Sequence, residues 1–260
     1  ADAMSHMGVA RDLKAYCHFH GIEHKWLAPA IDHFSIARSD KKFSVAVESK
    51  DKAPKYTGVN ITNLKVKPSP LWLQNRLKAL GIGPKNNVVD ITNYVLHDLG
   101  QPLHAFDLDR INDGIVVKTV DQDTPFITLD GIERKLNAED LMICDHHKPL
   151  CIAGIYGGID SGVNENTTSI FLESAYFNPV SIRKSAKRHG LNTDASFRFE
   201  RGIDPEITVY ALKRAANLIV ELTGGTIESE LFEINQGMPN CSKFNLTFDQ
   251  INKTIGQNIS

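Results

Sequence analysis

The chain has 260 residues, 42% of them hydrophobic and 8% aromatic, with 29 Lys and Arg against 31 Asp and Glu. That length holds one large domain or two ordinary ones around a substantial core, and ordinary glycine and proline usage excludes collagen-like and low-complexity chains. A net charge of −2 argues against a freestanding nucleic-acid binder held by bulk charge, while leaving room for a local basic patch. No apolar run approaches the ~20 residues of a membrane-spanning helix. No signal-peptide pattern opens the chain, and residues 1–4 read as a tag remnant. Cys17, Cys144, Cys151 and Cys241 form no C-x-x-C pair, which points away from a disulfide framework or a zinc knuckle. The expectation is a soluble, cytoplasmic, globular chain.

In chain order, the first stretch reads as a helix with Asp2 as N-cap, Met4, Met7, Val9, Leu13 and Cys17 among its apolar positions, and Gly21 as its stop. Residues 22–42 carry no period, and residues 43–64 suggest short strands. Ser69-Pro70 reads as N-cap and N1 of a helix bearing Leu71, Leu73, Leu77 and Leu80. A second helix is expected from Asp90 to its stop at Gly100. The chain then turns β-rich around residues 115–117, 126–129, 132–136 and 141–144, with Asp130-Gly131 as a type I′ hairpin signal. After a strand at residues 170–172, Asn178-Pro179 opens a helix that runs to His189 and stops at Gly190. Asp204-Pro205 opens the longest helix, with Ile207, Ala211, Ala215, Leu218 and Leu222, ending at Gly224-Gly225. A strand over 226–234, a linker at 236–240 and a closing strand and helix start over 244–260 complete the reading. The fold class expected is α+β.

Chemistry-bearing residues fall into a few groups. Cys17, His18, His20 and His24 lie close in sequence, but His18 and His20 point ~200° apart on a helix, so they cannot share a metal. Asp145-His146-His147-Lys148 sits where a solvated hairpin turn is expected. Walker A, Rossmann, G-x-S-x-G and H-E-x-x-H patterns are absent. Gly154-Ile-Tyr-Gly157-Gly158 admits two readings: a strand end with tight turns, or backbone left bare for a ligand. Arg183, Lys184, Lys187, Arg188, Arg198 and Arg201 face only Asp194 and Glu200 within 181–201. They form either a solvated face or a patch for phosphates. Glu173 and His104 each stand alone in apolar settings, as satisfied core polar groups or as ligand-binding ones.

Three long motifs together go further. Asp90-Ile-Thr-Asn-Tyr-Val with Gly100-Gln-Pro-Leu-His-Ala-Phe-Asp107 resembles the beta subunit of bacterial phenylalanyl-tRNA synthetase. So do Ala153-Gly-Ile-Tyr-Gly-Gly with Ser161-Gly-Val, and the run from Arg188 through Asn192-Thr-Asp-Ala-Ser-Phe-Arg-Phe-Glu-Arg to Pro205. The resemblance is collinear along the chain. It implies the returning half of a split N-terminal module over 1–67, and a central tRNA-editing module over 68–235. That module would be a three-layer α+β unit with an unusual β-sandwich. A linker and the truncated start of the next module would follow over 236–260.

By the same resemblance, the central module hydrolyses tyrosine misattached to phenylalanine tRNA. Catalytic roles fall on His104, Thr92 and Asn93, and substrate binding on Glu173, Gly157, Thr193 and Ala195. Arg183, Lys184, Lys187, Arg188, Arg198 and Arg201 become a tRNA-facing patch. Glu173 would read the tyrosine hydroxyl, because a site built to bond a hydroxyl rejects the analogue lacking it by ~10⁴ or more. No metal site is implied. ATP and magnesium belong to the full complex, a heterotetramer of two alpha and two beta subunits with the aminoacylation site on alpha. The competing reading is a non-catalytic docking and tRNA-binding scaffold with a vestigial pocket. The sequence departs from the family pattern at Phe197, often histidine, and at Tyr156, often methionine.

Overall fold

The computed structural model describes residues 3–37, 43–236 and 243–258. The expected N-cap Asp2, Cys241 and most of the 236–240 linker lie outside them. The first helix, α1 (His6–Phe19), is capped by Ser5, whose hydroxyl accepts from the Gly8 amide. Strands β1 (Ser44–Val47) and β2 (Lys55–Thr62) precede α2 (Leu71–Ala79), α3 (Asn87–Leu99) and β3 (Leu103–Asp107). A run of short strands follows: β4 (Gly114–Thr119), β5 (Pro125–Ile127), β6 (Glu133–Lys135), β7 (Leu141–Cys144), β8 (Pro149–Ile152) and β9 (Tyr156–Gly157). Then come β10 (Ile170–Tyr176), α4 (Pro179–His189), α5 (Asp194–Phe199), α6 (Ile207–Thr223), β11 (Thr226–Ile227), β12 (Phe232–Asn235) and α7 (Phe248–Ile255). The α+β expectation holds.

Two five-stranded sheets carry the architecture. One has the order β1-β4-β7-β8-β9, with β1 parallel to β4 and the other pairs antiparallel. The other is built on β2, which pairs antiparallel with β10 on one side and with β11 and β12 on the other, while β3 closes the far edge of β10. The side-chain period of two divides this second sheet between two cores. Tyr56, Phe106, Phe171 and Ala175 face the first sheet and pack with Ile115, Ile143 and Ile152. Val59, Ile61, Ala105, Ile170 and Leu172 face the helices and pack with Leu73, Ile91, Ala215 and Ile219. Each large aliphatic side chain buried this way contributes about 1.5–3 kcal/mol.

Strands β1 and β2 come from the segment assigned to the first module, yet they pair within the sheets of the rest. The β2 strand is buried along its whole length because both of its faces meet a core. Several local expectations are corrected. Pro70, not Ser69, is the N-cap of α2; the Ser69 hydroxyl instead donates to Asp90 Oδ2 (2.6 Å), and the Lys85 amide donates to Oδ1 (2.8 Å). Asp90 therefore ties a loop to α3 and does not open it, since Asn86 is the cap. The β5–β6 turn is not type I′, which needs positive φ at both central residues. Only Gly131 has it (φ 76°), and the Asp130 carboxylate accepts from Thr128 Oγ1 and the Ile132 amide. Helix α6 starts at Ile207, and residues 243–247 form no strand. Asn178 caps α4 and Gly190 ends it in the left-handed region (φ 64°), as the Asn-Pro…Gly pattern predicts.

Candidate functional site

Glu173 sits on β10 opposite His104 of β3 on one side and Gly58 of β2 on the other. Cross-strand partners share a face, so Glu173 and His104 both point into the layer between the sheets. Glu173 is 6% exposed, and its Oε2 accepts a 2.6 Å hydrogen bond from the hydroxyl of fully buried Tyr56. Burial pushes the Glu173 carboxyl up to about 7, against the lowering effect of that bond. Burial also pushes Tyr56 well above the ordinary phenol value, helped by the neighbouring carboxylate. His104 is pushed down to about 4 by burial, so its imidazole is neutral at physiological pH. Its ring packs edge-on to Phe106 at 4.4 Å, and its Nε2 is enclosed without a hydrogen-bond partner. A buried donor or acceptor without a partner costs about 1–3 kcal/mol.

The glycine-dense loop borders this pair. A Cβ at Gly157 would lie 3.2 Å from His104 Cε1 and 2.9 Å from Leu129 Cδ1. Gly154 lies against Phe177 and Phe199, and Gly158 against Phe126. Of the two readings of this segment, the packing one describes Gly154 and Gly158: side chains of the protein fill the space their hydrogens leave. Gly157 alone abuts a candidate functional side chain. A cleft of about 330 Å³ nearby is lined by Phe126, Ile127, Lys148, Gly158, Asp160 and Ser161, and reaches neither Glu173 nor His104.

Helix α5 closes on the same loop. Thr193 caps it through the Ser196 amide, and the Thr193 hydroxyl also donates to the Ile155 carbonyl at 3.1 Å. Ala195 packs against the inter-sheet core. Thr92 and Asn93 are carried by α3 and not by the strands that hold Glu173 and His104. The Thr92 hydroxyl donates to the Val89 carbonyl at 2.7 Å, and no hydrogen bond links either residue to Glu173 or His104. Asn93 lies one helical turn before His97, whose Nδ1 is 3.3 Å from Arg198 of α5. Residue types alone did not single out Tyr56 or Gln101. Gln101 is fully buried and donates to the Ala175 and Pro102 carbonyls, holding the start of β3 to the end of β10. Tyr56 lacks any sequence signal, because its role arises from the pairing of strands 117 positions apart.

The six basic residues do not share one surface. Arg183, Lys184 and Lys187 are exposed on α4. Arg188 is an ion-pair partner of Asp140, a fully buried carboxylate that also takes the Ser185 hydroxyl (2.6 Å), the Asn137 amide (2.9 Å) and His189 Nε2 (2.7 Å). Arg198 is 7% exposed and is spent on Asp194, the Met4 carbonyl and His97. Arg201 pairs with Glu200 and stacks over the Phe197 ring at 3.6 Å. A buried arginine bonded on several sides cannot join a phosphate-facing surface, so the patch reduces to the α4 cations with the outward parts of Arg188 and Arg201.

Among the described residues, no three His, Cys, Asp or Glu are grouped to hold a metal ion, and no helix is long and apolar enough to cross a membrane. The Asp145 carboxylate accepts from the His147 and Lys148 amides and from Asn112, which makes that run a hydrogen-bonded turn. Cys17, Cys144 and Cys151 are free thiols. Burial pushes Cys151 well above the ordinary thiol value, and Glu173 adds to the effect, so it is no nucleophile.

Comparison with known proteins follows the same residues. The sequence is 52% identical over 258 residues to the phenylalanine–tRNA ligase beta subunit of Bacteroides fragilis. It is 50% identical over 260 residues to that of Porphyromonas gingivalis. Each match takes in 99% of this chain and 32% of the relative, so the chain spans about a third of the length of these relatives. The fold is similar to the crystal structure of an N-terminal fragment of the phenylalanyl-tRNA synthetase beta-subunit from Pyrococcus horikoshii. There the TM-score is 0.51 at 16% identity, over 97% of this chain and 68% of that one. The family model described as the B3/4 domain matches residues 52–224, from before β2 to the end of α6 and across both cores. The chain belongs to the B3/4 domain family.

Proposed function

We propose that this chain is the B3/4 region of a phenylalanine–tRNA ligase beta subunit, acting in translation in the cytoplasm. In this reading it hydrolyses tyrosine misattached to the phenylalanine tRNA. The observation that carries the proposal is the Glu173–His104 pair: a buried carboxylate with a cross-strand imidazole whose Nε2 has no partner. Glu173 accepts the phenolic hydroxyl of tyrosine in a charge-assisted bond. Phenylalanine would leave the second carboxylate oxygen unmatched, which is how one hydroxyl becomes a large difference in binding.

Neutral His104, with Thr92 and Asn93, positions the ester and the attacking water. Water adds to the ester carbonyl carbon, the bond to the tRNA oxygen breaks, and that oxygen leaves with a proton. No thiol or serine nucleophile is required. Gly157, Thr193 and Ala195 line the approach, and the α4 cations meet the tRNA backbone. Aminoacylation, with ATP and magnesium, would belong to the full heterotetramer of two alpha and two beta subunits, its active site on alpha.

A scaffold that only docks the alpha subunit and tRNA remains the second reading, favoured by one observation: Glu173 Oε2 is already held by Tyr56. Calorimetric titration of the chain with free tyrosine and with phenylalanine separates the two. Tighter tyrosine binding that disappears in Glu173→Ala supports editing. Equal or absent binding of both amino acids supports the scaffold.

A further inference from the structure

Glu173 meets one titratable neighbour from each element packed against it: Tyr56 from β2, His104 from β3 and Cys151 from β8. Among the described residues, only Tyr56 bonds it. The Cys151 thiol is spent on the Ile152 and Tyr156 carbonyls, and His104 Nε2 bonds nothing. One phenol therefore sets where the carboxylate points. That phenol is itself held: the Tyr56 ring stacks on Phe171, with centroids 6.4 Å apart and planes 14° from parallel.

Resting on the editing reading above, we infer that Tyr56 is a positioning residue for Glu173, its hydroxyl fixing Oε2 so that Oε1 is presented as the acceptor for a substrate phenol. A carboxylate has two oxygens and about four lone-pair sites, so it accepts two hydroxyls without either displacing the other. Tyr56 supplies the first hydroxyl permanently, and only tyrosine, not phenylalanine, can supply the second. The bond does a further job. Burial pushes Glu173 up to about 7, and the Tyr56 hydroxyl pulls it down. Without that hydroxyl, the protonated carboxyl persists to higher pH, where its proton competes with the substrate for an acceptor oxygen.

The test is calorimetric binding of free tyrosine and phenylalanine to the wild type, Tyr56→Phe, Glu173→Gln and the double variant, from pH 6 to pH 8.5. Urea unfolding checks that each is folded. In the wild type, tyrosine affinity should rise with pH through about 7, the value to which burial moves Glu173. In Tyr56→Phe, tyrosine binding should fall about tenfold at pH 7, the size expected for a lost hydrogen bond to a charged group. Phenylalanine binding should not change, and part of the tyrosine loss should be recovered at pH 8.5. In the Glu173→Gln background, the second substitution should cost nothing more, because Tyr56 acts through the carboxylate.

A tyrosine preference that is intact in Tyr56→Phe, with the same pH midpoint, overturns this inference and leaves the editing reading standing. So does a loss that is equal at every pH and persists in the double variant, since that is structural damage. A wild type with no tyrosine preference overturns the editing reading and the role of Tyr56 with it.

Discussion

Replacing Glu173 by glutamine keeps the side chain's shape and an oxygen for the Tyr56 hydroxyl, but removes the charge, so the variant isolates what ionisation costs the fold. Burial raises the carboxyl from 4.5 to about 7, the Tyr56 bond opposing it. The folded protein thus holds this proton more tightly than the unfolded chain does. Its contribution to stability is complete below about pH 4.5 and is lost as the pH rises through about 7. At about 1.4 kcal/mol per pH unit of displacement, the loss is about 3 kcal/mol once the carboxyl is ionised. For a chain of this size that corresponds to roughly 6–12 °C in Tm.

His104 slopes the other way. Burial pushes it down to about 4, so its contribution is present above the ordinary histidine value of 6.5 and is lost as the pH falls through about 4. The two slopes overlap and offset each other in the wild type, which hides both. The informative quantity is the difference between wild type and Glu173→Gln, in which the His104 contribution drops out. Urea unfolding at pH 4.5 and pH 8.5 should give near-equal stabilities at the lower pH. At the higher, the variant should be the more stable by about 3 kcal/mol. A variant no more stable than wild type at pH 8.5 refutes the reasoning: the carboxylate would then not be strained by burial.

His104→Gln should show the mirror image, holding stability between pH 6.5 and 4 where wild type loses about 3 kcal/mol more. Parallel pH–stability curves for the two would mean that the imidazole is not held neutral by burial. Asp140→Asn should cost about 3–5 kcal/mol at pH 7, the usual result of removing one member of a buried ion pair. The part due to Arg188 will be smaller, because that side chain is 32% exposed. Although burial pushes the Asp140 carboxyl up, the bonds from Ser185, Asn137 and His189 win and hold it low, so this stability should be present at neutral pH and lost only on acidification. A urea midpoint within error of wild type would show that the cluster does not hold α4 to the first sheet.

What was legible in the sequence was local. Asn178-Pro179 and Gly190 bracket α4 because a cap side chain, a proline at N1 and a left-handed glycine are all short-range devices. The hairpin at Gly131 and the end of α3 at Gly100 are of the same kind. The β2 strand was harder, since burial on both faces by two different cores leaves no clean alternation to read. The partition of the chain at residue 67 is implied by the family resemblance, whereas the pairing of β2 with β10 runs across it. Glu173 and His104 stood out as isolated polar residues in apolar runs, but that they face each other is a matter of register between strands 69 positions apart in sequence. Arg198 looks like part of a charge run, and its burial is invisible because the groups that take its protons, Met4 and His97, lie 194 and 101 positions away.

A charge-bearing site inside a two-sheet core needs a backbone that makes room for it, and here the room traces to one residue. Gly58 lies directly across from Glu173, and a Cβ there would fall 2.2 Å from Phe171 Cζ. Any side chain at position 58 would displace the Phe171 ring. Because Gly58 is bare, Phe171 lies over it and stacks on Tyr56 on one side and on Phe43 at 5.2 Å on the other. Tyr56 is then fixed with its hydroxyl on Glu173. The order of dependence runs from a glycine, through an aromatic stack, to a phenol and only then to the carboxylate. Each link is apolar packing except the last, so the orientation of Glu173 draws on core burial and not on further polar partners. Among the described residues, that leaves the other carboxylate oxygen and the neighbouring imidazole nitrogen without bonds of their own.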